Sequence, residues 1–342
     1  MTSEPTSIAP RRAVVPGDGP RRAVVLGAGG VLGAAWMIGA LAALEEHEGF
    51  DPRESEVLIG TSAGAVVASA LAGGIEVRTL VNHQRGIVED GDPVIEYDAD
   101  VDSGGALPPR PKLGIGSRSL LLRAARHPRR FPPLAALAAL APHGRGSLDP
   151  VGDVIEAMQP GIEWSEHQNL WIIAMDYDTG RRVAFGRAGS PRARLSEAVK
   201  ASCAIPGWFA PVTINGRRYV DGGTCSPTSL DLLAGRGLDE VYVLAPMTSF
   251  SYDEPESVVG RLERRFRRLV TRRLQREAAK VRRTGTRVTL LGPGREDLEA
   301  IGVNLMDPSR RARVLDTSLR TSAAALADAS AVLSDTEGSL AG

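Results

Sequence analysis

The sequence predicts an α/β fold, a three-layer α/β/α sandwich built on a mainly parallel central sheet. Three observations lead there. Apolar runs of strand length, Ala23-Val24-Val25-Leu26 and Val57-Leu58-Ile59, each stand just before a segment of helix formers, so strand and helix alternate. Glycine-rich turns join them, Gly27-Ala28-Gly29-Gly30 after the first strand and Gly60-Thr61-Ser62-Ala63-Gly64 after the second. The core is aliphatic, because aromatic residues are only 4% of the 342 against a hydrophobic share of 43%.

Composition narrows the function classes. Lys plus Arg and Asp plus Glu number 41 each, so net charge names no polyanionic partner. Two cysteines cannot form a disulfide scaffold, which gives a reduced, cytoplasmic compartment as the expectation. No Cys/His cluster has metal-ligand spacing, and no metal or cofactor is implied. No uninterrupted apolar run reaches membrane-spanning length. Residues 1–20, rich in Ser, Thr, Pro, Gly and Arg, read as a disordered lead-in without a signal-peptide core. Arg-Arg-Ala-Val-Val occurs at 11 and again at 21, but two copies of five residues make no repeat architecture.

In chain order, a strand at 21–26 leads through the first glycine turn into a helix from Val31 to about Glu46. The second strand and turn lead into a helix of small residues over 65–72, and 76–88 reads as a polar helix. Between 91 and 150 prolines and glycines recur around Leu120-Leu121-Leu122 and the apolar run 134–141, with arginines at 123, 126, 129 and 130. This insertion reads equally as a cap over a site or as a loosely packed surface excursion. A helix at 149–158 follows. Residues 169–175 and 182–185 read as paired strands about the turn Asp178-Thr179-Gly180. After a helix at 195–204 come Val212-Thr213-Ile214 and Arg218-Tyr219-Val220, flanking Asn215-Gly216, a type I′ hairpin signal. Strands at 240–246 and 286–291 enclose a basic helix, and a helix at 310–333 precedes a polar tail. The domain plan is therefore a lead-in at 1–20, an α/β domain at 21–305 and a terminal helix and tail at 306–342.

Two turns carry chemistry. Gly60-Thr61-Ser62-Ala63-Gly64, at a strand-to-helix junction, fits a nucleophile elbow that lifts Ser62 above a strand end. Small residues also gather at such junctions for packing alone. The first turn supports the catalytic option: N–H groups at Gly27, Ala28, Gly29 and Gly30, aimed by a helix N-terminus, can hold an oxyanion. A serine hydroxyl needs a base. The five histidines, His47, His83, His127, His143 and His167, all stand in polar or broken stretches and read as solvated surface groups. None follows residue 167, where a Ser-Asp-His order would need one. Asp221, in Asp221-Gly222-Gly223 just past a strand, is the better partner, although the glycines also suit a plain turn aspartate. Cys203 and Cys225 read as small buried hydrophobes.

These residues resemble the patatin-like phospholipase family. The resemblance rests on Gly27-Ala28-Gly29-Gly30-Val31-Leu32-Gly33, on Gly60-Thr61-Ser62-Ala63-Gly64, on the segment Ala201 to Gly207 and on Asp221-Gly222-Gly223, in that order across about 21–250. It implies a Ser62-Asp221 dyad working without histidine and supported by Gly60, Gly64, Gly222 and Gly223. It also implies an oxyanion turn at Gly27 to Gly30 and a lipid or other acyl-ester substrate. One position departs: Leu32 stands where many members carry Arg or Lys.

Residues 251–283 suggest a further property. From Arg261 to Arg283 eleven Lys or Arg face only Glu263 and Glu277, and Leu262, Phe266, Leu269, Val270, Leu274, Ala278 and Val281 recur at helical spacing. Such a helix can lie on an anionic inner-membrane surface, or pack its stripe on the sheet and solvate its arginines. Nucleic acid is not expected, since the segment offers only Phe266 to stack. Two other classes stay open: a Rossmann-type nucleotide-binding protein, from Gly27, Gly30 and Gly33, and a membrane-recruited scaffold with an idle site. The sequence is silent on oligomeric state.

Overall fold

The computed structural model describes residues 19–89, 109–112, 114–127, 131, 133–250 and 257–340. Most of the expected lead-in, part of the 91–150 insertion and the last two residues of the tail lie outside them. The elements run β1 (Arg22–Leu26), α1 (Gly30–Glu48), β2 (Val57–Thr61), α2 (Ala63–Ala72), α3 (Val77–Gln84), α4 (Arg118–Arg126), α5 (Pro133–Leu140) and α6 (Asp149–Met158). They continue with β3 (Leu170–Asp176), β4 (Arg182–Phe185), α7 (Leu195–Cys203), β5 (Val212–Ile214), β6 (Arg217–Asp221) and β7 (Glu240–Leu244). The last are α8 (Val258–Arg282), β8 (Arg287–Leu291), α9 (Arg295–Ile301) and α10 (Arg311–Leu340).

One mixed sheet holds the strands in the order β5-β6-β3-β2-β1-β7-β8, with β4 also paired to β3. Strands β3, β2, β1, β7 and β8 are parallel neighbours, while β4, β5 and β6 are antiparallel. The central strands are covered on both faces, which is why β1 and β2 read as unbroken apolar runs. Val24, Leu26, Leu58 and Ile172 face a core shared with α1, α2, α7 and α10. Val25, Ile59, Trp171 and Val243 face the opposite layer, built by the turn Leu230–Leu233 and by α8. The expected three layers follow. The Asn215-Gly216 signal is a turn with both residues at positive φ, 49° and 73°, as a type I′ hairpin needs.

Register places the two halves of the candidate site together. Thr61, the last residue of β2, pairs with Ile173 of β3, and Asp221, the last of β6, pairs with Ala174. The other edge of β3 is taken by β4, at Ala184 and Val183. So β2, running with β3, and β6, running against it, meet end to end along one edge of β3.

Helix α8 divides its apolar stripe. Leu274, Ala278 and Val281 are buried against the sheet and Val270 is buried too, whereas Leu262 and Leu269 are exposed, as are Val258 and Val259 ahead of the stripe. Two arginines counted as part of the basic flank are not solvated. Arg267 is 2% exposed, ion-pairs with Glu263 and donates to the carbonyls of Pro246 and Thr248, and Arg264 is buried beside Glu263. No helix among the described residues is long and apolar enough to cross a membrane.

Candidate active site

Ser62 lies between β2 and α2 with φ 54°, one of three non-glycine residues at positive φ among those described. A β-carbon pays a steric cost there, on the order of 1–3 kcal/mol, that the surroundings must hold in place. Two features do so. The Ser62 N–H donates to Ser202 Oγ at 2.8 Å, and that hydroxyl donates to the Ile173 carbonyl at 2.6 Å. A β-carbon on Gly64 would lie 2.2 Å from the Leu26 carbonyl oxygen, so only glycine lets α2 press this close to β1. Gly60 is crowded in the same way by Ala65 and Gly64.

Asp221 caps the short turn Gly222–Thr224, its Oδ1 accepting the Gly223 N–H at 2.7 Å. Gly222 is needed because a β-carbon there would meet the Ile173 carbonyl oxygen at 2.4 Å. The carboxyl is 5% exposed. Burial raises its pKa from the usual carboxylate range to about 6, against the opposing effects of hydrogen bonding to the Ser62 hydroxyl and to the Gly223 N–H. A buried carboxylate titrating near neutrality beside a strained serine is suited to accept a proton.

The first glycine turn contributes fewer donors than its four amides suggest. The Gly27 N–H is used by the Leu244 carbonyl and the Ala28 N–H by the Pro227 carbonyl, each at 2.9 Å. Those bonds fix the turn beneath Asp221, where Ala28 lies close enough that a β-carbon on Gly223 would touch it at 3.3 Å. The N–H groups of Gly29 and Gly30, at the start of α1, have no acceptor among the described residues, so the oxyanion function expected of Gly27 to Gly30 narrows to these two. Leu32, where a cation is common in the resembled family, is fully buried, and its N–H donates to the Leu305 carbonyl.

Sequence reasoning missed several supports. Ser202 lay in a quoted segment without a role. Glu277 of α8 is buried and accepts from Ser226 Oγ, Thr228 Oγ1 and the Leu230 N–H at 2.7, 2.9 and 3.1 Å, clamping the loop whose Pro227 carbonyl holds Ala28. Neither contact is local, so no sequence spacing announces it. Cys225 is buried as expected, and burial pushes its thiol up to about 11. Cys203, in contrast, is only partly buried and faces the site beside Ser62 and Asp221, its thiol also pushed up by burial.

The expectation of solvated surface histidines needs correction at three positions. His167 is partly buried, its Nε2 donating to the Ser55 carbonyl at 2.7 Å and its Nδ1 accepting from the Asn169 N–H, and burial lowers its pKa. His143 bonds the Gly116 carbonyl, and His83 lines the same cavity as Ser62. No group of three or more His, Cys, Asp or Glu among the described residues could hold a metal ion.

Ser62 and Gly30 open into a cavity of about 1030 Å³, counting the part open to solvent. Its walls are one face of α1 from Gly30 to Ile38, one face of α2 from Ala63 to Ala70, and apolar side chains of α6 such as Val151 and Met158. Lined this way, its walls suit an aliphatic chain. The nucleotide alternative fares worse, because β2 ends on Thr61 and offers no acidic residue for a ribose.

A family model for patatin-like phospholipases matches residues 24–234, more than half of the chain. The chain belongs to the patatin-like phospholipase family. Membership places it among lipid acyl hydrolases. Among solved structures it is similar to VipD from Legionella pneumophila, at 13% identity and TM-score 0.41, over 90% of this chain and 67% of that one. It is also similar to the type III effector ExoU, at 18% identity and TM-score 0.34, over 90% of this chain but only 53% of ExoU. Another structure, of full-length ExoU in complex with SpcU from Pseudomonas aeruginosa, aligns at TM-score 0.32 and 18% identity over 88% of this chain and 53% of that one. The family assignment rests on the sequence match.

Proposed function

We propose that this member hydrolyses lipid acyl esters through a Ser62-Asp221 dyad. The supporting observation is the meeting of a strained Ser62 with a buried Asp221 carboxylate at the head of an apolar cavity. Asp221 accepts the Ser62 proton as Oγ attacks the ester carbonyl carbon. The N–H groups of Gly29 and Gly30 hold the negative oxygen of the tetrahedral intermediate, aided by the N-terminal dipole of α1. As the carbonyl re-forms, the C–O bond to the alcohol breaks and the proton on Asp221 passes to that alkoxide. Water then attacks the acyl-serine, giving its proton to Asp221, and the fatty acid leaves as Ser62 recovers the proton.

The substrate sits at a membrane, and peripheral attachment fits the surface. Exposed Leu122 and Leu137 stand near Arg118, Arg123 and Arg126, and exposed Leu262 and Leu269 near Arg261 and Arg265. Apolar side chains among cations suit an anionic lipid interface.

Hydrolysis of short-chain p-nitrophenyl esters and of a phospholipid panel tests the proposal. Wild type is expected to release acid, with Ser62→Ala and Asp221→Asn at background while still folded. Activity in either folded variant equal to wild type contradicts it.

A further inference from the structure

Among the described residues, the wall of the cavity that receives Ser62 is apolar apart from Ser62 itself, His83, Gln84 and Arg311. Arg311 opens α10, and both that helix and the segment just before it are tied to α1. The Leu32 N–H donates to the Leu305 carbonyl at 3.0 Å, and Ser318 Oγ donates to the Trp36 carbonyl at 2.7 Å. A third tie, Arg85 to Asp316 at 2.7 Å, joins the end of α3 to the same helix. Arg311 thus enters the cavity from a fixed backbone, with Met306 beside it in the wall and Leu305 and Met306 packed against Gly30.

Its charge is uncompensated. The neighbouring Arg310 pairs with Asp307 and Arg320 with Glu296, but Arg311 has no ion pair or hydrogen bond among the described residues. Among the described residues it is also the only Lys or Arg in the cavity wall. A guanidinium turned toward an apolar cavity gains from an anion there far more than it would in water, because competing solvent is thin. Gln84 supplies an independent sign of a missing partner: its side-chain carbonyl is buried and has no hydrogen-bond donor. A cation without an anion and an acceptor without a donor, lining one cavity, match a leaving group that carries both a phosphate and a hydroxyl.

We infer that Arg311 binds the phosphate of a lipid head group and that the Gln84 carboxamide accepts from its glycerol hydroxyl. The preferred substrate is then a phosphate-bearing acyl ester with a free glycerol hydroxyl, a lysophospholipid or a phospholipid whose head group is glycerol, over a neutral glyceride. This specificity rests on the hydrolase proposal for Ser62. The acyl chain lies along α1 and α2 while the phosphate turns toward α10, so a single ester spans both parts of the cavity. Arg311 touches the head group and takes no part in proton transfer.

The test compares lysophosphatidylglycerol with a monoacylglycerol of the same chain, both presented as monomers, for wild type, Arg311→Gln and Arg311→Lys. The expected result is a ratio of kcat/KM, phosphate-bearing over neutral, that falls about tenfold in Arg311→Gln, the order of one charge-assisted hydrogen bond. The loss should lie in KM, with partial recovery in Arg311→Lys. An unchanged ratio, with both substrates still cleaved, overturns the inference while leaving the dyad intact. If wild type cleaves neither ester, the hydrolase proposal itself fails, an outcome distinct from the first. Thermal melting shows whether each variant is folded, and loss of both activities in parallel in a folded Arg311→Gln also counts against the inference.

Discussion

Asp221 decides the pH behaviour. Its folded pKa, about 6, lies above the value of an exposed aspartate, so the folded state favours the neutral acid. Stability from this group is present below the unfolded pKa near 3.9 and is lost as pH rises through about 6. Activity has the opposite dependence, since only the carboxylate accepts a proton. A plot of kcat/KM against pH should therefore rise through an apparent pKa near 6, measured with a neutral ester. Asp221→Asn removes the buried charge: chemical denaturation at pH 7.5 should show it more stable than wild type by up to about 3 kcal/mol, with the gain vanishing near pH 4. A less stable variant at pH 7.5 would show that the carboxylate is better paired than its burial implies. The loss of function with a gain of stability is what a group held for chemistry should give.

At the scale of elements, the elbow depends on a residue 140 positions away. Ser202 on α7 holds the Ser62 N–H and ties it to β3 through the Ile173 carbonyl. Ser202→Ala leaves that buried N–H without an acceptor, at about 1–3 kcal/mol. Stability in urea should fall by that order, and kcat should fall with KM little changed, because Ser62 loses its fixed angle. Sequence patterns did reach much of this region. The elbow and the type I′ hairpin were legible because tight turns restrict their own residues, Gly64 by contact with Leu26 and Asn215-Gly216 by positive φ. Hidden were the contacts made by register: that β2 and β6 meet end to end, that Glu277 clamps 226–230, and that two of the four turn amides are already engaged. Periodicity in α8 gave an apolar stripe but not its partner. Four of its seven residues went to the core, as Leu274 and Ala278 show, and two to the surface, as Leu262 shows.

For the whole molecule, the layers set the substrate. The cavity follows α1 from Gly30 to Ile38 and α2 from Ser62 to Ala70. Eight residues at 1.5 Å each give roughly 12 Å, about the length of ten methylene groups. Specificity constants across a series of saturated esters should peak near that length. Ala34, partway along this wall, marks the depth: Ala34→Trp should move the optimum to butyryl or hexanoyl esters and cut the decanoyl rate at least tenfold. An unmoved optimum would place the acyl chain elsewhere. The α/β architecture could be read from alternating strand and helix signals, whereas a cavity assembled from four helices and closed by α10 could not, because no segment of it is contiguous.

Mass spectrometry after reaction with a fluorophosphonate at pH 7.5 tests whether Ser62 is an activated nucleophile. Wild type should gain one adduct, located on the peptide carrying Ser62, with none in Ser62→Ala and slow labelling in Asp221→Asn. Folded wild-type protein that stays unlabelled, or that carries the adduct on another serine, would contradict a nucleophile at Ser62 activated by Asp221.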